Sequence, residues 1–281
     1  MAEANPQVAS GPGDGAAQAP AAEAQSGLTG ATRTLRVFKG VPGGEQGYAT
    51  YEVPEVVGMV VLDAIHQIQR TQDGDLACRW NCKAAKCGSC SAEVNGHPVL
   101  MCKTRIDDLP AGTITVQPLK SFPLIKDLVT DVSRNYETNK LIPPFTAATD
   151  DGAPWRIQQM DIDRLLEYRR CIECFLCQDV CHINRTHQLS ARFFGPRFFV
   201  RVASLEMHPK DVLDRRELLS DQGGLSLCNI TKCCTEVCPE HIHITDNAII
   251  PLKERVADRH WDPVRWLGRK LSRGGGTEAA G

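Results

Sequence analysis

No apolar run in this chain approaches the roughly 20 residues that a membrane-spanning helix requires, so any attachment to a bilayer is expected to come through a partner. Aromatic residues are scarce, at 6% of the total. No basic stripe interleaves with them, so the footprint of a nucleic-acid binder is missing. Charge favours neither sign: 32 Lys and Arg stand against 34 Asp and Glu, for a formal net charge of -2. Met1 to Gly30 has neither a basic start nor an apolar core, so no secretory signal is expected and reduced thiols in a reducing compartment follow. A flavin fingerprint of the G-x-G-x-x-G kind is also absent. What the sequence has instead is 13 cysteines among 281 residues.

Eleven of those cysteines fall into two different spacings. Cys82-x4-Cys87-Gly88-Ser89-Cys90, with Cys102 twelve residues on, is the plant-type C-x4-C-x2-C…C arrangement of a two-iron, two-sulfide (2Fe-2S) cluster. Three thiolates from one loop and a fourth from a separate strand wrap a flat rhomb. Gly88 and its neighbours keep side chains off it and let backbone N–H groups face sulfur. Lys83, Lys86, Lys103 and Arg105 lie in the same stretch, either offsetting the cluster's negative charge or acting as solvated surface charges.

The second spacing is Cys171-x2-Cys174-x2-Cys177-x3-Cys181, answered by Cys228-x5-Cys234-x3-Cys238-Pro239, a bacterial C-x2-C-x2-C-x3-C-P pair. In such pairs the fourth cysteine of each run ligates the other cluster. Cys171, Cys174, Cys177 and Cys238 are therefore expected to hold a 4Fe-4S cube, and Cys181, Cys228 and Cys234 the other centre. The regular repeat calls for a cysteine at position 231, where Thr231 stands. Three thiolates predict a 3Fe-4S cluster; a labile four-iron cluster completed by water or the Thr231 hydroxyl is the alternative. Cys233 competes with Cys234, but only Cys234 keeps the x3 spacing to Cys238. Cys78 reads as a small buried apolar residue. Zinc would explain one four-thiolate set, but not a set of three beside two complete ones.

The remaining texture gives an α+β chain of two domains. Residues 1–31 are rich in Ala, Gly, Pro, Gln and Ser and are expected to be a disordered tail. Residues 32–135 alternate short strands with one helix. Leu35–Phe38 and Tyr48–Val53 pair as a hairpin, Val57–Gln69 has helical spacing, and Asn95-Gly96 turns Ser91–Val94 into Val99–Cys102. Thr113–Val116 closes a mixed sheet of β-grasp type. Residues 136–160, with Pro143-Pro144 and Pro154, read as a linker. Residues 161–264 have helix character at Asp161–Arg170, Pro196–Met207, Pro209–Ser220 and Thr245–Arg259, with the cysteines on the connections. Residues 265–281 form a basic tail, in which Trp266 and Leu267 either touch an anionic membrane surface or fray into solvent.

A plant-type two-iron module followed by a helical module with a four-iron and a three-iron site resembles the iron-sulfur subunit of succinate dehydrogenase and fumarate reductase. The resemblance spans about Arg33 to Asp262 and rests on Cys82-x4-Cys87-Gly-Ser-Cys90 and Cys228-x5-Cys234-x3-Cys238-Pro239. It implies an N-terminal ferredoxin domain of β-grasp fold followed by a bacterial-ferredoxin-like domain. It also implies a subunit of succinate:quinone oxidoreductase, not catalytic alone. Such a subunit carries electrons from an FAD-containing flavoprotein through the 2Fe-2S, 4Fe-4S and 3Fe-4S clusters to a quinone. The expected place is the cytoplasmic face of the cell membrane, held by a membrane anchor subunit.

The sequence departs from that family where Cys181 is followed by His182-Ile-Asn-Arg185 in place of proline and tryptophans, and where Asn229 follows Cys228. His182 and His187 either take over as polar groups near a quinone or are locally bonded loop residues. Reverse flow as a fumarate reductase is the alternative with the same clusters. A freestanding carrier or redox sensor is the alternative of another class, disfavoured by size, near-neutral charge and the aromatic run Phe193, Phe194, Phe198 and Phe199. That run reads as partner-facing or as core.

Overall fold

The computed structural model describes residues 28–147 and 156–261. The first strands, β1 (Leu28–Gly40) and β2 (Gln46–Val56), pair antiparallel with Leu35 opposite Tyr51 and Val37 opposite Ala49. Leu35, Val37, Tyr51 and Val53 are buried on one face, as period-two alternation requires. β1 begins inside the segment expected to be a disordered tail, where Leu28 pairs with Val56; the rest of that expectation lies outside the described residues.

Helix α1 (Val61–Thr71) buries Val61, Leu62, Ala64, Ile65 and Ile68 against the sheet. It starts four residues later than the sequence pattern suggests. Gly58 takes a left-handed φ of +77°, and extended Val60 bridges to Arg105 instead of joining the helix. Strands β3 (Ser91–Val94) and β4 (His97–Leu100) flank the Asn95-Gly96 turn, whose φ values of +50° and +82° are those an Asn-Gly hairpin favours. β5 (Ile114–Gln117) runs parallel to β1 and antiparallel to β3, giving the order β2-β1-β5-β3-β4.

A two-stranded ribbon, β6 (Leu124–Lys126) and β7 (Val129–Thr130), was not foreseen. Its turn residue Asp127 is buried and accepts hydrogen bonds from Gly40 N (2.9 Å) and Ala77 N (2.8 Å), which pins the ribbon across the domain. Helix α2 (Ser133–Asn139) then runs across the expected boundary at residue 135. The described part of the expected linker is no free tether. Pro143 and Pro144 carbonyls accept from the buried Arg215, and Thr146 O accepts from Val212 N at 3.0 Å.

The second domain is helical: α3 (Gln159–Arg169), α4 (Leu176–Asp179), α5 (His182–Arg185), α6 (Pro196–Glu206), α7 (Cys233–Glu236) and α8 (Ile250–Trp261). Gly195, at φ +88°, turns the chain into Pro196, the first residue of α6. Phe193, Phe198 and Phe199 are buried with edge-on ring contacts, and Phe194 packs against the same core, so the aromatic run is core and not a partner surface. No helix spans Pro209–Ser220. Asp211 and Asp214 carboxylates accept from Leu213 N and Arg216 N two residues on, Asx turns that divert the backbone, and helical structure resumes only at Arg216. Of the eight clustered cysteines here, Cys177, Cys233 and Cys234 sit within short helices, and the others on connections.

The domains meet along a polar seam. Ser91 Oγ donates to Cys174 O (2.8 Å), Ser121 N to Asp179 Oδ1 (2.9 Å), and Arg185 bridges the buried carboxylates of Glu93 and Asp179. Burial, with the Glu93 carboxylate adding to it, pushes Asp179 up to about 7. Among the described residues no helix is long and apolar enough to cross a membrane; the basic C-terminal tail lies outside them.

Candidate metal centres

The first cysteine loop lies between α1 and β3, and β4 delivers Cys102 back to it. Met101 N donates to Cys90 O at 3.1 Å and fixes that return. Lys83, Ala85 and Gly88 have φ of +53°, +55° and +67°, so successive N–H groups turn inward as an anion-binding concavity. Ala84 N and Lys86 N donate to Cys82 Sγ (3.3 and 3.4 Å), Ala85 N to Cys102 Sγ (3.3 Å), and Cys82 N to Cys87 Sγ (3.5 Å). At Cys87, desolvation raises the pKa, but hydrogen bonds from Ser89 and Cys82 outweigh it and bring the thiol down to about 6. Buried Cys90 rises to about 12.

Gly88 has a role the spacing did not show. A Cβ there would stand 2.7 Å from Cys174 Cα and 2.8 Å from Ile172 O, so the glycine lets the first loop touch the second domain's cysteine run. The nearby cations are engaged elsewhere: Lys86 with Glu240 (3.2 Å), Arg105 with Asp107 (2.9 Å), Lys83 with Asp63 (3.8 Å), and Lys103 with Pro239 O (3.4 Å). They make surface and interdomain contacts.

Cys171, Cys174, Cys177 and Cys238 line one cavity together with Phe175, Val200, Ile242 and Ile244. Burial pushes Cys174 up to about 12 and Cys177 well above the usual thiol range, and it raises Cys171. Glu173 and Phe175, at φ +56° and +61°, repeat the left-handed alternation around Cys174, and Ile242 N donates to Cys238 Sγ at 3.4 Å.

Cys181, Cys228 and Cys234 also approach one another, with Cys233 beside them. Burial lifts Cys181 to about 11 and Cys234 to about 12. Thr231 is exposed, flanked by left-handed Ile230 and Lys232, and its hydroxyl lies 3.3 Å from Cys233 Sγ. Cys234 Sγ instead meets Thr245 Oγ1 at 3.4 Å in the core. The His182 ring stands 5.9 Å from His187 with Nε2 buried and unbonded, and Asn229 is exposed. Cys78 packs against the first core and burial lifts it to about 12, a structural thiol.

Among the described residues, six of the ten non-glycine residues with positive φ, namely Lys83, Ala85, Glu173, Phe175, Ile230 and Lys232, lie in the cysteine segments, and His241 follows Cys238 by three residues. The sequence suggested N–H groups facing sulfur around Gly88, but not this left-handed alternation of ordinary residues in all three segments. Among the described residues no three His, Cys, Asp or Glu side chains are gathered tightly enough for a single ion. A structural zinc takes four Cys or His ligands around one point, whereas backbone N–H groups aimed at several thiols fit iron-sulfur clusters.

Comparison with known proteins points to the same chemistry. Residues 34–137 match the 2Fe-2S iron-sulfur cluster binding domain family, and residues 167–242 the 4Fe-4S dicluster domain family. The fumarate reductase iron-sulfur subunit of Haemophilus influenzae is 32% identical over 214 residues, covering 70% of this chain and 82% of that one. The corresponding subunit of Mycobacterium tuberculosis is 29% identical over 201 residues, covering 69% and 80%. A chain of the Mycobacterium smegmatis Sdh1 complex in the apo form is 57% identical with a TM-score of 0.77, covering 83% of this chain and 98% of that one. With its N-terminal ferredoxin-type sheet and its helical dicluster domain, this chain belongs to the iron-sulfur subunits of succinate dehydrogenase and fumarate reductase, oxidoreductase subunits that transfer electrons on iron-sulfur clusters.

Proposed function

We propose that this chain passes single electrons from an FAD-containing flavoprotein to a quinone at a membrane anchor, as the iron-sulfur subunit of a succinate dehydrogenase. In this reading Cys82, Cys87, Cys90 and Cys102 hold a 2Fe-2S cluster. Cys171, Cys174, Cys177 and Cys238 hold a 4Fe-4S cluster, and Cys181, Cys228 and Cys234 a 3Fe-4S cluster. The clusters supply one-electron redox steps. The chain fixes their order, shields the second and third from water and aims N–H groups at their sulfurs. The subunit then lies on the cytoplasmic face of the membrane without crossing it.

The observation that supports this reading is the cysteine spacing, with Cys171, Cys174, Cys177 and Cys238 lining one cavity and Gly88 bringing the first loop against Cys174. Iron analysis with Mössbauer and EPR spectra of the purified complex should give about nine irons per chain from two, four and three. Zinc, or a single cluster type, would end the reading. Thr231→Cys should convert the three-iron centre to a four-iron one, abolish its near-isotropic EPR signal in the oxidised protein and lower its potential, because an added thiolate brings negative charge. The fumarate reductase relatives favour a second reading in which the flow runs in reverse. Potentials measured with succinate and then a quinol as donor decide the direction.

A further inference from the structure

The cavity lined by Cys171, Cys174, Cys177 and Cys238 contains one cationic side chain among the described residues, Arg197 of α6. It is the second residue of that helix, placed there by the left-handed Gly195 and by Pro196. Its side chain is only 3% exposed, and charged groups are almost never buried unless they are paired. Nη1 donates to Asn139 Oδ1 at 2.9 Å, and Nη2 is bonded to Glu173 Oε1. Glu173 lies between Cys171 and Cys174 but is 41% exposed, so water screens its charge more than that of Arg197. The other acid on the cavity rim, Glu240, is paired with Lys86 at 3.2 Å.

We propose that Arg197 is a positioning and tuning residue for the second centre, raising its reduction potential through a buried positive charge. The inference rests on the assignment of a four-iron cluster to these four cysteines. One-electron reduction adds a negative charge to a cluster already surrounded by four thiolates. A cation in a poorly solvated cavity stabilises that extra charge more than it stabilises the oxidised form. Arg suits the role because its planar fork bonds Asn139 and Glu173 at once while presenting its charge to the cavity. Asn139 and Glu173 hold the guanidinium in place from two other segments.

The test is an EPR-monitored redox titration of the complex purified through the full-length chain, comparing Arg197→Gln, Arg197→Lys and Glu173→Gln with the parent. Iron analysis and Mössbauer spectra establish loading in each case. Arg197→Gln should make reduction of the four-iron centre at least tenfold less favourable, a fall of 59 mV for one electron. Arg197→Lys should recover most of that loss, and Glu173→Gln should move the potential upward. If Arg197→Gln does not load, loaded Arg197→Met is titrated in its place, with the same fall expected. Loaded variants with one common potential, or a Lys variant that falls as far as the Gln variant, would overturn the proposal. Absence of any four-iron centre in the parent protein would instead overturn the assignment on which it rests.

Discussion

The two cysteine regions solve one problem on different scaffolds. The first loop hangs on a five-stranded sheet whose core, centred on Leu35, Leu62 and Ile65, takes in one of its thiols, Cys90, as a buried member. Cys82 is exposed there, and Cys87 is already drawn down to about 6 by the groups around it. In the second domain Cys177, Cys181 and Cys234 are themselves members of the hydrophobic core, and burial raises all three. Ligation must expel those protons, so metal affinity and folding are coupled there far more tightly than in the first domain. The second domain thus builds more of its thiols into its core than the first does.

Removing iron is the harshest way to break that comparison. Chelation under anaerobic, reducing conditions should cost the second domain most of its slow amide exchange, while β1, β2, β5 and α1 keep theirs. Hydrogen exchange read by mass spectrometry checks this, and equal loss in both domains would erase the distinction.

A milder probe is the seam between the regions. Gly88→Ala places a Cβ into the Cys174 backbone at a φ of +67°, which should lower stability by about 1–3 kcal/mol. Thermal unfolding of the loaded protein measures it, and the two domains should begin to melt separately. A variant with unchanged, single-step melting would show that the contact is slack.

The smallest expected effect lies at Glu167 on α3. Burial alone would raise its pKa, but His243 N (2.7 Å), Asn247 Nδ2 (2.6 Å) and the His243 ring hold the carboxyl below its usual range. A depressed folded-state pKa stabilises fully above the unfolded value of about 4.3 and loses that contribution as pH falls through the folded one. Glu167→Gln should thus cost about 1.5 kcal/mol at neutral pH and flatten the acid limb of stability. Urea titrations from pH 7 to pH 3 would show whether the two curves converge.

The thiol spacings, the Asn95-Gly96 hairpin and the buried face of α1 were legible because each is a local rule with few alternatives. The left-handed backbone at Lys83, Ala85, Glu173, Phe175, Ile230 and Lys232 was not, since ordinary side chains adopt it only when their surroundings over-determine it. Pro209–Ser220 looked helical by composition, yet Asp211 and Asp214 compete for the backbone and Arg215 turns inward to the Pro143 and Pro144 carbonyls. Phe194 and its neighbours were ambiguous because period alone does not say which way a fully apolar run faces. Arg197 gave no signal at all, because its importance depends on a cavity assembled from three distant segments.

The missing side chain at Gly88 also bears on how fast charge can cross. Electron tunnelling through protein weakens exponentially with the width of the barrier, and a bare backbone-to-backbone contact is the thinnest insulation a polypeptide can offer. At this joint the chain's smallest residue abuts the main chain of Cys174, so a group that carries no charge and binds no metal would narrow the barrier between the two cysteine regions.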